Sequence, residues 1–191
     1  MKKTIAPSPR DMAFVGWLQG LVAKDKKGEL AALRRGLMYE DDQLYLLFSY
    51  IPYGLLQQLR TPQEEQDYLL VAALFASSLL CFSPEELEKQ RFNLGDSLRK
   101  YAEKNRLDGG SADTDELLFE PLRRRLEAML ACPRNELHEH LRQAVSLLTS
   151  KSVPVDWAQL LCDLRAWGWP GHPIQWDWSR AFYVGKKGGE E

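Results

Sequence analysis

Lys24, Lys26, Lys27, Arg34 and Arg35 crowd into residues 24–36, beside an apolar stripe of Leu30, Leu33 and Leu37. On a helix Lys27, Arg34 and Arg35 stand at i, i+7 and i+8, so all three point outward within about a third of a turn. Cations in that arrangement can meet successive phosphates of a nucleic-acid backbone. A purely local reason also exists. Arg34 and Arg35 fall in the last turn before Gly36, where a glycine cap is common and the helix dipole favours positive charge whatever the function. The spacing alone leaves both readings open.

No other set of side chains has catalytic or metal-binding spacing. His138 and His140 are two apart, which on a helix sends them to nearly opposite sides and away from any shared metal. Gly-x-Gly-x-x-Gly, Walker and Gly-x-Ser-x-Gly patterns are missing from the sequence. The acid pairs Asp41/Asp42 and Glu64/Glu65 occupy cap or turn positions, where carboxylates need no catalytic explanation. The sequence therefore argues against an enzyme, and no cofactor or metal is expected.

The elements that must hold these cations come from a chain of 191 residues, enough for one domain or two small ones. With 45% hydrophobic and 27% charged residues it can bury a core. Net charge is −2, which disfavours a free-standing, strongly basic nucleic-acid binder. The charge is nonetheless segregated: residues 1–36 hold eight Lys/Arg against three acids, whereas 37–68 hold only Arg60 against six. A local basic face survives a neutral total. Three scattered cysteines, Cys81, Cys132 and Cys162, make no disulfide framework and point to a reducing, cytoplasmic compartment. The first ten residues have no apolar h-region, so no signal peptide is expected, and the uncharged run 68–82 is short for a bilayer span.

Helical periodicity recurs along the whole chain. Phe14, Trp17, Leu18 and Leu21 define a first amphipathic helix over 13–23, with Asp11 as its N-cap. Two short helices over 42–50 and 53–59 are divided by Pro52. Thr61-Pro62-Gln63-Glu64 forms a capping box that starts a core helix reaching Phe82, and Ser83-Pro84-Glu85-Glu86 repeats the device. A helix over 93–104 carries Leu94, Leu98 and Tyr101 inward, with Arg99 and Lys100 toward its exposed side. Gly109-Gly110 marks a loop and divides the chain into lobes at 1–108 and 109–191. Pro121 opens the next helix, with Leu122, Leu126, Met129 and Leu130 inward and Arg123, Arg124 and Arg125 fanned outward. Further helices follow over 136–150, with Arg142 at the edge of its apolar stripe, over 155–167, and after the 168–173 turn. No segment alternates like a strand. The expected fold is all-α, two small helical lobes with about nine helices.

Five of the six tryptophans lie in the last 35 residues. Trp157, Trp167 and Trp178 are expected in the core. Trp176 and Tyr183, at i and i+7, share another side of the last helix and are expected either to dock a neighbouring subunit or to bury against the other lobe.

Taken in order, Phe14-Val15-Gly16-Trp17-Leu18, Leu30-Ala31-Ala32-Leu33-Arg34-Arg35-Gly36, Tyr68-Leu69-Leu70-Val71-Ala72-Ala73-Leu74-Phe75-Ala76 and Asn93-Leu94-Gly95-Asp96-Ser97-Leu98-Arg99 resemble one known family. So do His140-Leu141-Arg142-Gln143-Ala144-Val145-Ser146-Leu147-Leu148, Val155-Asp156-Trp157 with Asp163-Leu164 and Trp167, and Trp178-Ser179-Arg180-Ala181-Phe182-Tyr183. The family is the small subunit of the type I-E CRISPR Cascade complex, the CasB family, and the resemblance runs over nearly the whole chain.

The resemblance implies an all-helical, non-enzymatic subunit, present in two copies within an RNA-guided assembly. Its partners would be the helical backbone subunits, the large subunit, guide RNA and target DNA including the displaced strand. Because the heteroduplex formed is about as stable as the duplex replaced, modest contacts to sugar-phosphate can tip the exchange. Arg34, Arg35, Arg99, Arg124, Arg125 and Arg142 match the family's basic positions. Lys24, Lys26, Lys27 and Lys100 join the candidate nucleic-acid contacts on the sequence reading alone. Together these side chains are expected to converge on one track. Asp96 departs by placing an acid beside the Asn-Leu-Gly motif. The competing reading is a helical protein–protein adaptor whose arginines only cap helices, and a DNA-binding regulator ranks below both, since no helix pair with base-reading side chains is evident.

Overall fold

The computed structural model describes residues 5–39, 41–107 and 112–185, with the side chains of 41–42, 106–107 and 112–119 left aside. Among them every regular element is helical: α1 (Pro9–Ala23), α2 (Lys27–Arg35), a 3₁₀ turn (Gly36–Met38), a 3₁₀ run (Asp41–Tyr50), α3 (Tyr53–Leu56), α4 (Pro62–Ser78), α5 (Pro84–Lys89), α6 (Leu94–Leu107), α7 (Ala112–Ala131), α8 (Leu137–Ser150), α9 (Trp157–Ala166) and α10 (Pro173–Tyr183). The all-α expectation holds. None of the described helices is long and apolar enough to cross a membrane.

The chain forms two compact units, and each borrows from the distant end of the sequence. The first is Met1–Cys81 with Trp157–Arg165; the second is Phe82–Asp156 with Ala166–Glu191. That division is not the sequential cut at 108/109 expected from Gly109-Gly110, which itself lies outside the described residues. The reason is visible in the first unit, whose central helix α4 is buried from Asp67 through Ala76. So apolar a helix needs cover on all sides. α1, α2 and the 3₁₀ segments supply part of that cover, and Phe75 meets Trp157 of α9 edge-on at 5.8 Å.

Several helix ends differ from the sequence reading. α1 is capped by Ser8, not Asp11: Pro9 starts the helix earlier, and the Asp11 carboxylate closes a capping box by accepting from the Ser8 N–H at 2.7 Å. Asp11 is fully buried and also accepts hydrogen bonds from the Tyr68 hydroxyl and the Arg165 guanidinium, the latter at 2.6 Å. Burial alone would raise its pKa; the bonds from Tyr68, Ser8 and Arg165 outweigh it and hold the carboxyl below the usual range. At α4 only half the expected box forms. Thr61 accepts from the Glu64 N–H, while the Glu64 carboxylate turns to the Arg60 N–H and to Arg10.

α4 stops at Ser78 instead of reaching Phe82, because Leu79 adopts a left-handed conformation at φ 57°. That turn frees the Leu80 carbonyl to accept from Trp157 Nε1 at 2.7 Å. Pro121 lies inside α7 and does not open it. The lone i→i−4 bond a proline removes is tolerated there within a longer helix.

In the second unit α6 packs against α7, α8 and α10. Its crossing with α10 is tight enough that a Cβ on Gly95 would lie 2.2 Å from the Trp178 carbonyl oxygen. Asn93 and Asp96 cap the start of α6 reciprocally, the Asn93 N–H donating to Asp96 at 2.9 Å and the Asp96 N–H to Asn93 at 3.1 Å. Asp96 is buried in that cap. The acid beside the Asn-Leu-Gly motif therefore faces no polyanion.

Candidate functional site

The basic corner between α1 and α2 is where the sequence concentrates cations, and all five are exposed. Lys24 is the C-cap of α1, Lys26 the N-cap of α2 and Lys27 its first residue. Arg34 and Arg35 form the last turn of α2, on the side away from buried Ala32 and Leu33. Gly36 follows as C-cap but with right-handed φ −56°, so its lack of a side chain answers a close approach and not a left-handed turn. A Cβ there would meet Leu47 Cδ1 at 2.5 Å and Ala73 Cβ at 3.2 Å. That packing seats the end of α2 on the 3₁₀ run and on α4.

Charge at this corner separates the two readings of the cations. Arg34, Arg35 and Lys24 complement the negative ends of their helices. Lys26 and Lys27 sit at the positive end of α2, where a cation is disfavoured. Lys26 is offset by Glu29 at 3.4 Å and Lys27 by Asp25 at 3.2 Å. The Glu29 carboxyl is held below its ordinary value first by its own backbone N–H and then by Lys26. Helix capping thus explains Arg34 and Arg35 but not Lys26 and Lys27. Among the described residues Lys24, Arg34 and Arg35 have no ion-pair partner.

The remaining candidates belong to the second unit, in three different settings. Arg99 lies at the C-terminal end of α10, donating from Nη1 to the Phe182 carbonyl at 3.2 Å and from Nε to Glu103 at 2.9 Å. Lys100 rests over the stacked rings of Phe82 and Phe92, 4.4 and 4.5 Å from their centroids, with Glu86 at 3.7 Å. Those two side chains serve the unit's own packing. Arg124, Arg125 and Arg142 come together on α7 and α8. Arg124 is 75% exposed and pairs with Glu120 at 3.0 Å, and Arg142 pairs with Glu139 at 3.8 Å. Arg125 has no ion-pair partner among the described residues. Arg123 shares Glu120 and is 4.0 Å from Glu127; the two arginines hold the Glu120 carboxyl low.

Two neighbouring hollows open at this arginine group. One, of about 220 Å³, is largely apolar and lies between α6, α7 and α8. The other, shallower and more polar, runs along Arg125, Arg142, Gln143, Ser146 and Ser150. The sequence reading identified the arginines but missed Gln143, Ser146 and the apolar hollow, because a cavity depends on how three helices cross and has no period of its own.

On α10, Ile174, Trp178, Ala181 and Phe182 are buried, as are Trp157 and Trp167 elsewhere. Trp176 and Tyr183 are 64% and 43% exposed, off the buried face of α10. Arg180, one turn after Trp176, shares their exposed side, and the Tyr183 hydroxyl donates to Glu127 at 3.2 Å. Among the described residues no group of three or more His, Cys, Asp or Glu is placed to hold a metal ion.

Comparison with known proteins follows the same helical frame. The family model of CRISPR-associated protein Cse2 matches residues 29–183. The CRISPR-associated protein Cse2 of Thermus thermophilus is 29% identical over 172 residues, covering 89% of this chain and 88% of its own. A crystal structure of a Cse2-family protein from Thermus thermophilus superposes with a TM-score of 0.70 at 28% identity, over 93% of this chain and 99% of the other. A chain of a solved CRISPR RNA-guided surveillance complex gives a TM-score of 0.59 at 27% identity, over 92% and 90% of the two chains. With the family model covering most of its length, the chain belongs to the CRISPR-associated Cse2 family, also called CasB.

Proposed function

We propose that this chain is a non-enzymatic small subunit of a cytoplasmic RNA-guided interference complex of type I-E, in which it holds nucleic-acid backbone and does no chemistry on it. The observation that carries this reading is the corner of Lys24, Lys26, Lys27, Arg34 and Arg35, five exposed cations of which three have no ion-pair partner among the described residues. Likeness to a chain of a surveillance complex supports the assembly, whose other members would be the helical backbone subunits, the large subunit, guide RNA and a second copy of this chain. In that setting the first unit steadies sugar-phosphate at the α1–α2 corner, and Arg124, Arg125 and Arg142 do so in the second. Arg99 and Lys100 act there mainly by fixing α6 and α10. The strands held are the guide–target hybrid and the displaced non-target strand, in antiviral defence.

Trp176 and Tyr183 dock a neighbouring subunit. An adaptor without nucleic-acid contact is the second reading, favoured by the intrahelical ion pairs of Arg99, Arg124 and Arg142 with Glu103, Glu120 and Glu139.

Replacing Arg34 and Arg35 together by alanine separates the two. The backbone-binding reading expects the assembled complex to form normally, bind target more weakly, and lose about two units from the slope of log K against log salt. Lost assembly, or unchanged binding, would favour the adaptor.

A further inference from the structure

The two hollows beside Arg125 differ in chemistry and touch each other. Leu122, Leu126, Met129 and Leu147 line the first, with Ala128 at its exposed side. Its volume of about 220 Å³ is below the ~300–1,000 Å³ of ordinary small-molecule sites, so it holds one ring system or one side chain and not a metabolite. The second is open and more polar than the first, with two arginines, a glutamine and two serines beside Leu147. Arg125, Gln143 and Leu147 line both. An apolar slot for a planar group, joined at an arginine to an open cationic shelf, matches the two halves of a nucleotide.

We infer that this pair of hollows is a single-nucleotide site: an unstacked base of a single strand enters the apolar slot while its phosphate lies on the shelf of Arg125 and Arg142. The inference rests on the nucleic-acid reading and sharpens it, because a duplex keeps its bases stacked and offers only phosphate. The second unit thereby prefers single strands to duplex. Charge favours this occupant over a protein side chain: arginines border the slot and shelf, and every nucleotide brings an anion a fixed reach from its ring. Arg124 and Gln143, at the slot, supply a guanidinium plane and an amide able to meet a base face or edge.

The test uses the full chain at about 50 mM salt, where backbone contacts are strong, and fluorescence anisotropy with four labelled probes. These are a short oligothymidine, the matching oligouridine, an abasic deoxyribose-phosphate strand of equal charge, and a duplex. Ala128→Trp fills the mouth of the slot from an exposed position without altering charge, and a thermal melt verifies its fold. Wild type is expected to bind base-bearing single strands roughly tenfold more tightly than the abasic strand. Ala128→Trp should erase that difference and leave abasic and duplex binding unchanged. Arg125→Ala should weaken all probes and lower the salt slope by about one. Loss confined to oligothymidine or to oligouridine supports the site and names its strand.

The site is overturned if Ala128→Trp leaves base-bearing strands unaffected, or weakens abasic and base-bearing strands alike. Loss of assembly with strand binding intact would give the slot to a partner's side chain instead. Wild type that binds bases and bare backbone equally removes this site but keeps the backbone reading; wild type that binds no probe removes both.

Discussion

Lys26 and Lys27 stand against the dipole of the helix they begin, and each has an acid within reach to make that tolerable. Arg34 and Arg35 gain from the same dipole, so their presence alone discriminates nothing. Functional meaning at the residue scale lies in the contrast. Removing Lys26 and Lys27 as alanines should leave stability within about 0.5 kcal/mol or raise it slightly, since exposed pairs contribute little. Target binding by the complex should weaken, and its salt slope should become shallower by about two. Urea melts and binding isotherms at several salt concentrations read the two effects. Asp11 illustrates the opposite case, a charge kept for folding. Its folded pKa is depressed, so its stabilisation is complete above the unfolded carboxylate value near 3.9 and disappears as pH falls through the lower folded value. Asp11→Asn should cost about 3 kcal/mol at pH 7, the scale for breaking a buried ion pair. The gap to wild type should narrow steadily from pH 5 to pH 2, and thermal melts across that range show whether it does.

At the scale of elements, Gly95 fixes how closely α6 and α10 approach. Gly95→Ala drives a Cβ into the Trp178 backbone and should cost about 1–3 kcal/mol or more, as overpacking does. Gly16→Ala in α1 meets nothing within 4 Å and should stabilise by about 0.5–1 kcal/mol. Equal denaturation midpoints for the two variants would refute the close-approach account. Element type and helical faces were legible in the sequence, because the 3.6-residue period of Leu122, Leu126 and Met129, or of Trp178 and Phe182, is set by burial. Ends were less legible. Leu79 leaves the helix in a left-handed turn that no propensity announces, Pro121 sits inside a helix it was expected to open, and Ser8 takes the cap expected of Asp11. At Leu79 a contact far along the chain overrode the local signal, at Pro121 the surplus of a long helix did, and at Ser8 a competing local signal, Pro9 with its capping box, won.

For the whole molecule, the unit borders escaped the sequence for a related reason. α9 completes the first unit from about 75 residues beyond Cys81, and its bonds to the Ile5 and Ala6 carbonyls and the Asp11 carboxylate join opposite ends of the sequence, leaving no periodic signal. The candidate cations were legible as residue types, and their division into an exposed corner at α1–α2, an arginine group on α7–α8 and two internal braces was not. Assembly depends on a further surface. Trp176→Ala should reduce incorporation into the complex severalfold in co-purification while shifting the isolated chain's melting temperature little; equal losses in both would assign Trp176 to folding.

Photo-crosslinking of the assembled complex, loaded with guide RNA and target DNA and read by mass spectrometry of this chain's peptides, tests the central claim most directly. Nucleotide adducts are expected on peptides spanning residues 24–35 and 123–142. Adducts confined to other subunits, with this chain present at full occupancy and unmodified, would contradict it.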